Sequence, residues 1–171
     1  AGAVYVLNFE GVIKGILRGE SAGGAFGSSV AEVPDVNGDG ESDILVSAPG
    51  RYPQPSATGR VFVMSRGGAT IAAFSGEALG DGFGLSMASV GDIDGDGDSE
   101  IVVGAPFANL HGLQNAGAVY VYSTRGRLVA RIEGVEAGGQ LGTSVSGSGD
   151  FDGDGKGDLA VWRYTDRVWY V

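Results

Sequence analysis

Four independent landmarks recur along the chain at one spacing, and that period restricts the fold more than any other property. Asp35, Asp92 and Asp150 open DVNGDGESD, DIDGDGDSE and DFDGDGKGD, 57 and 58 residues apart. Gly2, Gly59 and Gly117 open GAVYV, GRVFV and GAVYV at the same two intervals. Gly11, Gly68 and Gly126 keep them, as do Phe26-Gly27, Phe83-Gly84 and Leu141-Gly142. A period of this length marks a repeat architecture, in which each unit buries its apolar face only against its neighbours.

Each unit reads as four short strands. The first runs from the FG pair toward the acidic segment (FGSSVAEVP, FGLSMASVG, LGTSVSGSG). The second is a nearly continuous apolar run (DILVSAP, EIVVGAP, DLAVW), as expected of a strand buried on both faces. The third alternates β-branched and aromatic residues (GAVYVLNF, GRVFVMS, GAVYVYS). The fourth is GVIKGIL, ATIAAF or LVARIEG. Gly, at 33 of 171 residues, and β-branched residues interrupt every window long enough for an amphipathic helix. The expected fold is therefore all-β, with four-stranded blades of a β-propeller. A sandwich would not require the same four-strand unit three times. Residues 1–171 read as one partial propeller domain, with units at 26–82, 83–140 and 141–171. Residues 1–25 supply strands three and four of a preceding blade. Three repeats do not close a ring. Two arrangements follow: additional blades in a longer propeller, or self-association of copies into a ring or filament.

The acidic segments fit D-x-[DN]-x-D-G-x-x-[DE]. Eleven of the 21 Asp and Glu stand at their first, third, fifth and ninth positions, enough to account for the whole net charge of -10. The first loop offers Asp35, Asn37, Asp39 and Asp43. The second offers Asp92, Asp94, Asp96 and Glu100, and the third Asp150, Asp152, Asp154 and Asp158. Calcium takes about six to eight hard oxygen ligands in flexible geometry. Alternate residues of a tight loop can point such oxygens inward, and Gly40, Gly97 and Gly155 at the sixth position allow a sharp turn. At the seventh position Glu41, Asp98 and Lys156 would contribute only backbone carbonyls, so their side chains vary freely. Asp and Gly also dominate ordinary hairpin turns. Like charges packed this closely in three copies instead predict three Ca²⁺ sites. An EF-hand is excluded by spacing, since its twelfth residue should be Glu and the residues here are Val46, Val103 and Val161.

Composition narrows the function. At 43% hydrophobic the chain is not disordered, and a sequence pI near 4.3 argues against nucleic acid. No apolar run approaches the roughly 20 residues of a membrane-spanning helix. The absence of Cys removes disulfides and thiol chemistry. AGAVYVLNFE has neither a basic n-region nor an apolar h-region, so no signal peptide is expected in it. A single His, His111, and carboxylates already committed by spacing to a cation argue against an enzyme.

Phe26-Gly27, DVNGDGESD and Ser47-Ala48-Pro49 together resemble the FG-GAP repeat of integrin α-subunit propellers and their bacterial relatives. Phe83-Gly84, DIDGDGDSE and Gly104-Ala105-Pro106 resemble it more closely. The third unit departs, with Leu141-Gly142 for FG and Trp162-Arg163-Tyr164 in place of GAP, and is similar to bacterial VCBS-type repeats. The resemblance implies a propeller with calcium loops between strands one and two, in an extracellular or cell-surface protein used for adhesion or binding. It points to a bacterial source. A partner subunit and a closed ring, which integrins add, are not implied by three repeats.

Strand alternation places the loops joining strands one to two and three to four on one face. A protein or glycan ligand is expected on the opposite face, at GRYPQPSAT (50–58) and FANLHGLQNA (107–116). Arg51, Tyr52, Phe107 and His111 are the candidate contacts. The alternative is a self-assembling structural repeat with no separate ligand.

Overall fold

Short antiparallel hairpins build the whole molecule, because Gly, Asp and Asn punctuate the chain every few residues and strands pair across the nearest turn. The computed structural model describes residues 1–50, 58–147, 149–150, 152–154, 156–164 and 168–170. Among these no helix forms, so none is long and apolar enough to cross a membrane.

The strands fall into four sheets. β1 (Ala3–Leu7) and β2 (Ile13–Arg18) form a hairpin. β3 (Val30–Val33), β4 (Asp43–Ala48), β5 (Arg60–Met64) and β6 (Thr70–Ser75) form the first four-stranded sheet in sequential order. β7 (Ser86–Gly91), β8 (Glu100–Ala105), β9 (Ala118–Ser123) and β10 (Leu128–Glu133) form the second. β11 (Ser144–Gly147), β12 (Leu159–Arg163) and β13 (Val168–Tyr170) form the last. These sheets are β-propeller blades, and among the described residues they do not close a ring. β3, β7 and β11, the first strands of successive sheets, lie against one another. β8 is buried along its whole length, whereas β10 at the sheet edge is mostly exposed.

The first strands begin three or four residues later than the sequence suggests, at Val30, Ser86 and Ser144. The reason is the FG glycine. Gly27, Gly84 and Gly142 adopt φ of 85°, 86° and 87°, a conformation that turns the chain rather than extending it. Each then donates its backbone N–H across the sheet, to Ser47 O, Gly104 O and Trp162 O. FG and GAP are therefore two ends of one contact. The third unit retains it with Trp162 because the acceptor is main chain.

The residue before that glycine locks neighbouring sheets together. Phe83, 1% exposed, packs among Val61, Val63 and Phe74 of one blade and Ile101, Val103 and Tyr120 of the next. Phe26 sits with Leu17, Val46 and Met64, and Leu141 with Val119, Val121, Val145 and Val161. Burying such a side chain contributes about 1.5–3 kcal/mol. The glycine opening the third strand makes room for it. A Cβ on Gly2 would stand 1.8 Å from Phe26 O, and one on Gly59 would stand 1.9 Å from Phe83 O.

Candidate metal loops and the opposite face

Each acidic loop bridges the first and second strands of its sheet, so the pairing Val33↔Asp43 or Gly91↔Glu100 holds both ends of the loop. Asp at the first position organises the turn. Asp35 Oδ1 accepts from Gly38 N at 2.6 Å, and its Oδ2 accepts from Gly40 N at 2.7 Å. Asp92 repeats this with Gly95 N at 2.7 Å and Gly97 N at 2.9 Å, and Asp150 with Gly153 N at 2.6 Å. The amide donors, led by that of Gly40, hold the Asp35 carboxyl below its usual range. Asn37, Asp94 and Asp152 accept from the amides of Asp39, Asp96 and Asp154. Those three side chains accept in turn from Glu41, Asp98 and Lys156 N. The chain thus winds around an oxygen-lined centre. Gly38, Gly95 and Gly153 at the fourth position also need positive φ, near 80°. The sequence reading singled out only the sixth-position glycines, of which Gly155 lies outside the described residues.

Position nine closes each loop. Asp43, 1% exposed, accepts from Val36 N at 2.8 Å and from Asn37 Nδ2 at 3.1 Å. Asp158 Oδ2 accepts from Asp152 N at 3.3 Å. Glu100 is fully buried, and its Oε2 accepts from Ile93 N at 3.0 Å. Among the described residues, its Oε1 has no hydrogen-bond partner. Burial, reinforced by the charges of Asp94, Asp96 and Asp92, pushes the Glu100 carboxyl up. Ligand oxygens of Asp92, Asp94 and Asp96 lie within 4.8 Å of one another, as do those of Asp150, Asp152 and Asp158. These all-oxygen donor sets fit a hard divalent cation, while Glu100, with its orphaned oxygen, stands outside the first of them. The twelfth-position valines lie in strands β4, β8 and β12, buried among apolar neighbours.

The seventh-position side chains point elsewhere. Glu41 pairs with Arg66 at 2.9 Å and Asp98 with Arg125 at 2.6 Å. Arg127 reaches Asp94 Oδ2 at 2.7 Å and also Asp96 Oδ2. The three arginines stand in turns between third and fourth strands, so these turns and the acidic loops share a face. Sequence reasoning placed the turns there but missed the arginines, which are 25 to 33 residues from their partners.

On the opposite face His111, at φ 51° and mostly exposed, bonds Glu133 Oε2 at 2.7 Å. That contact holds the Glu133 carboxyl below its usual range. Phe107 is half-buried, and its N–H anchors the loop to Asp81 O at 3.0 Å. Arg51 and Tyr52 lie outside the described residues.

Comparison with known proteins matches the FG-GAP repeat to residues 26–64 and 83–122. The chain is 34% identical to integrin alpha-3 of Cricetulus griseus, over 98% of this chain and 17% of that protein. It is 37% identical to integrin alpha-IIb of Homo sapiens, over 95% and 17%, and 34% identical to integrin alpha-PS2 of Drosophila melanogaster, over 87% and 12%. The chain therefore spans 12–17% of the length of these relatives. Residues 26–64 and 83–122 are FG-GAP repeats, and the chain is similar to part of these integrin α chains.

Proposed function

We propose that this FG-GAP repeat chain is a calcium-binding β-propeller module for extracellular adhesion or ligand binding, not an enzyme. The observation that carries the calcium reading is Glu100: a fully buried carboxylate with one oxygen unpartnered among the described residues, in the same loop as the clustered Asp92, Asp94 and Asp96. Leaving a buried charged group unpaired costs several kcal/mol unless a cation accompanies it. Calcium would be held by Asp35, Asn37, Asp39 and Asp43 in the first loop. Asp92, Asp94, Asp96 and Glu100 would hold it in the second, and Asp150, Asp152, Asp154 and Asp158 in the third. The seventh-position carbonyls of Glu41, Asp98 and Lys156 complete the sets. The bound ion supplies positive charge that fixes the hairpin loops; the carboxylates orient it, and the amides inside each loop orient the carboxylates.

Loops of this kind suit extracellular calcium, at dissociation constants of roughly 10⁻⁴–10⁻³ M. The similarity to integrin α chains supports a cell-surface or secreted setting. Recognition is assigned to the face opposite the loops, where His111 is exposed on a rigid scaffold. Immobilised protein should capture a protein or glycan partner from an extracellular array, and His111→Ala should weaken that capture. Exclusively cytosolic location of the native protein would overturn the setting, and capture indifferent to His111 would overturn the assigned face.

A further inference from the structure

We propose that Arg127 is a built-in competitor for the second loop: its guanidinium bonds Asp94 and Asp96 and must be displaced when a divalent cation enters. The inference rests on the calcium reading above.

Arg127 closes the turn between β9 and β10, where Ser123 N donates to Arg127 O at 2.8 Å. The same turn in the preceding blade has Ser65 N donating to Ala69 O, also at 2.8 Å. The backbone is equivalent, yet the cation of the first turn, Arg66, reaches the seventh-position Glu41, whereas Arg127 reaches the third- and fifth-position groups. One nitrogen of Arg127 bonds both Asp94 Oδ2 and Asp96 Oδ2, the third- and fifth-position ligand groups. Those oxygens are the ones a metal ion would need. The guanidinium covers the exposed rim of the loop, with its own side chain 52% exposed. At the buried floor Glu100 Oε1 has no partner among the described residues. Arg127 therefore compensates half of the loop, and the uncompensated half still attracts a cation. Entry of that cation among Asp92, Asp94 and Asp96 sets two positive charges against each other, and the tethered one swings into solvent. The arginine props the loop open to binding while lowering its affinity.

Calorimetric titration of the full chain with calcium chloride tests this. Arg127→Gln should tighten one site by about two- to fivefold, the scale of losing a partly exposed ion pair. Arg127→Lys, which keeps the charge, should stay near wild type. Arg125→Gln removes the partner of Asp98, whose side chain is not a ligand group, and should change nothing. The gain from Arg127→Gln should shrink in about 1 M KCl, where surface charges are screened. It should vanish when Glu100→Gln disables the same loop. Calcium uptake with equal or weaker affinity in Arg127→Gln would overturn this inference alone. No uptake by either protein would overturn the calcium reading and the inference together.

Discussion

Glu100 and Asn37 show how single side chains set the behaviour of an acidic loop. Glu100 is buried with half its carboxylate unpartnered among the described residues, so in chelator Glu100→Gln should stabilise the chain by about 1–3 kcal/mol, the cost of an unmet buried polar group. In calcium the same substitution removes a ligand charge and should weaken the second site at least tenfold, on the order expected from ligand charge count. Opposite signs in the two media, read by thermal melts, separate a metal ligand from a structural carboxylate. The pH dependence follows from the raised Glu100 carboxyl. The folded state holds that proton more tightly than the unfolded state, so its contribution is fully present below the ordinary value of 4.5 and is lost as pH rises through the raised value. The wild-type minus Glu100→Gln difference in chelator should therefore grow more unfavourable across that window; a flat difference would deny the buried charge. Asn37 uses its amide nitrogen to bond Asp43 Oδ1, whereas Asp94 at the equivalent position has no donor to offer, and Glu100 Oε1 has no partner among the described residues. Asn37→Asp adds a fourth carboxylate to the first loop and should tighten its calcium affinity roughly tenfold. The oxygen-bearing positions of the loops are legible in the sequence because they repeat at alternate residues. The burial of Glu100 is not, since it depends on how deeply β8 lies within its sheet.

At the scale of strands and turns, the FG-GAP pattern is a packing device as well as a marker. A glycine opens each third strand so that the FG residue of the next unit can seat its backbone there, and the contact joins two blades. Gly59→Ala would place a Cβ 1.9 Å from Phe83 O, against main chain that has no free side to yield. The expected loss is about 3 kcal/mol or more, in the range of overpacked cores. Phe83→Leu, which imitates Leu141, should cost only about 1–1.5 kcal/mol, while Phe83→Ala should cost about 3–5 kcal/mol. Equilibrium denaturation measures all three, and equal losses for Leu and Ala would show that the ring does not bridge the blades. The period, the strand number and the sheet order were legible from the repeat because four-strand units can pair sequentially only one way at these turn lengths. The starts of β3, β7 and β11 were not, because the FG residues look like strand and are held as a turn by a positive-φ glycine and a cross-sheet bond. The third unit shows the limit of motif reading: its GAP is lost in sequence, yet Trp162 O supplies the same main-chain acceptor.

For the whole molecule, charge and stability are one problem. The net charge of -10 is concentrated in the three acidic loops, and on the calcium proposal bound cations relieve the self-repulsion there that opposes folding. Each occupied site stabilises the folded chain by about 2.7 kcal/mol when free calcium is a hundredfold above its dissociation constant. Chelation should accordingly lower the melting temperature sharply, and added calcium should restore it in a concentration-dependent way. Magnesium should restore less, because it demands near-octahedral geometry and dehydrates reluctantly. The most direct measurement is a calorimetric titration of the chelator-treated chain with calcium. The account predicts uptake of about three ions per chain at dissociation constants of roughly 10⁻⁴–10⁻³ M. Absence of calcium uptake at millimolar concentration by a folded chain would contradict it.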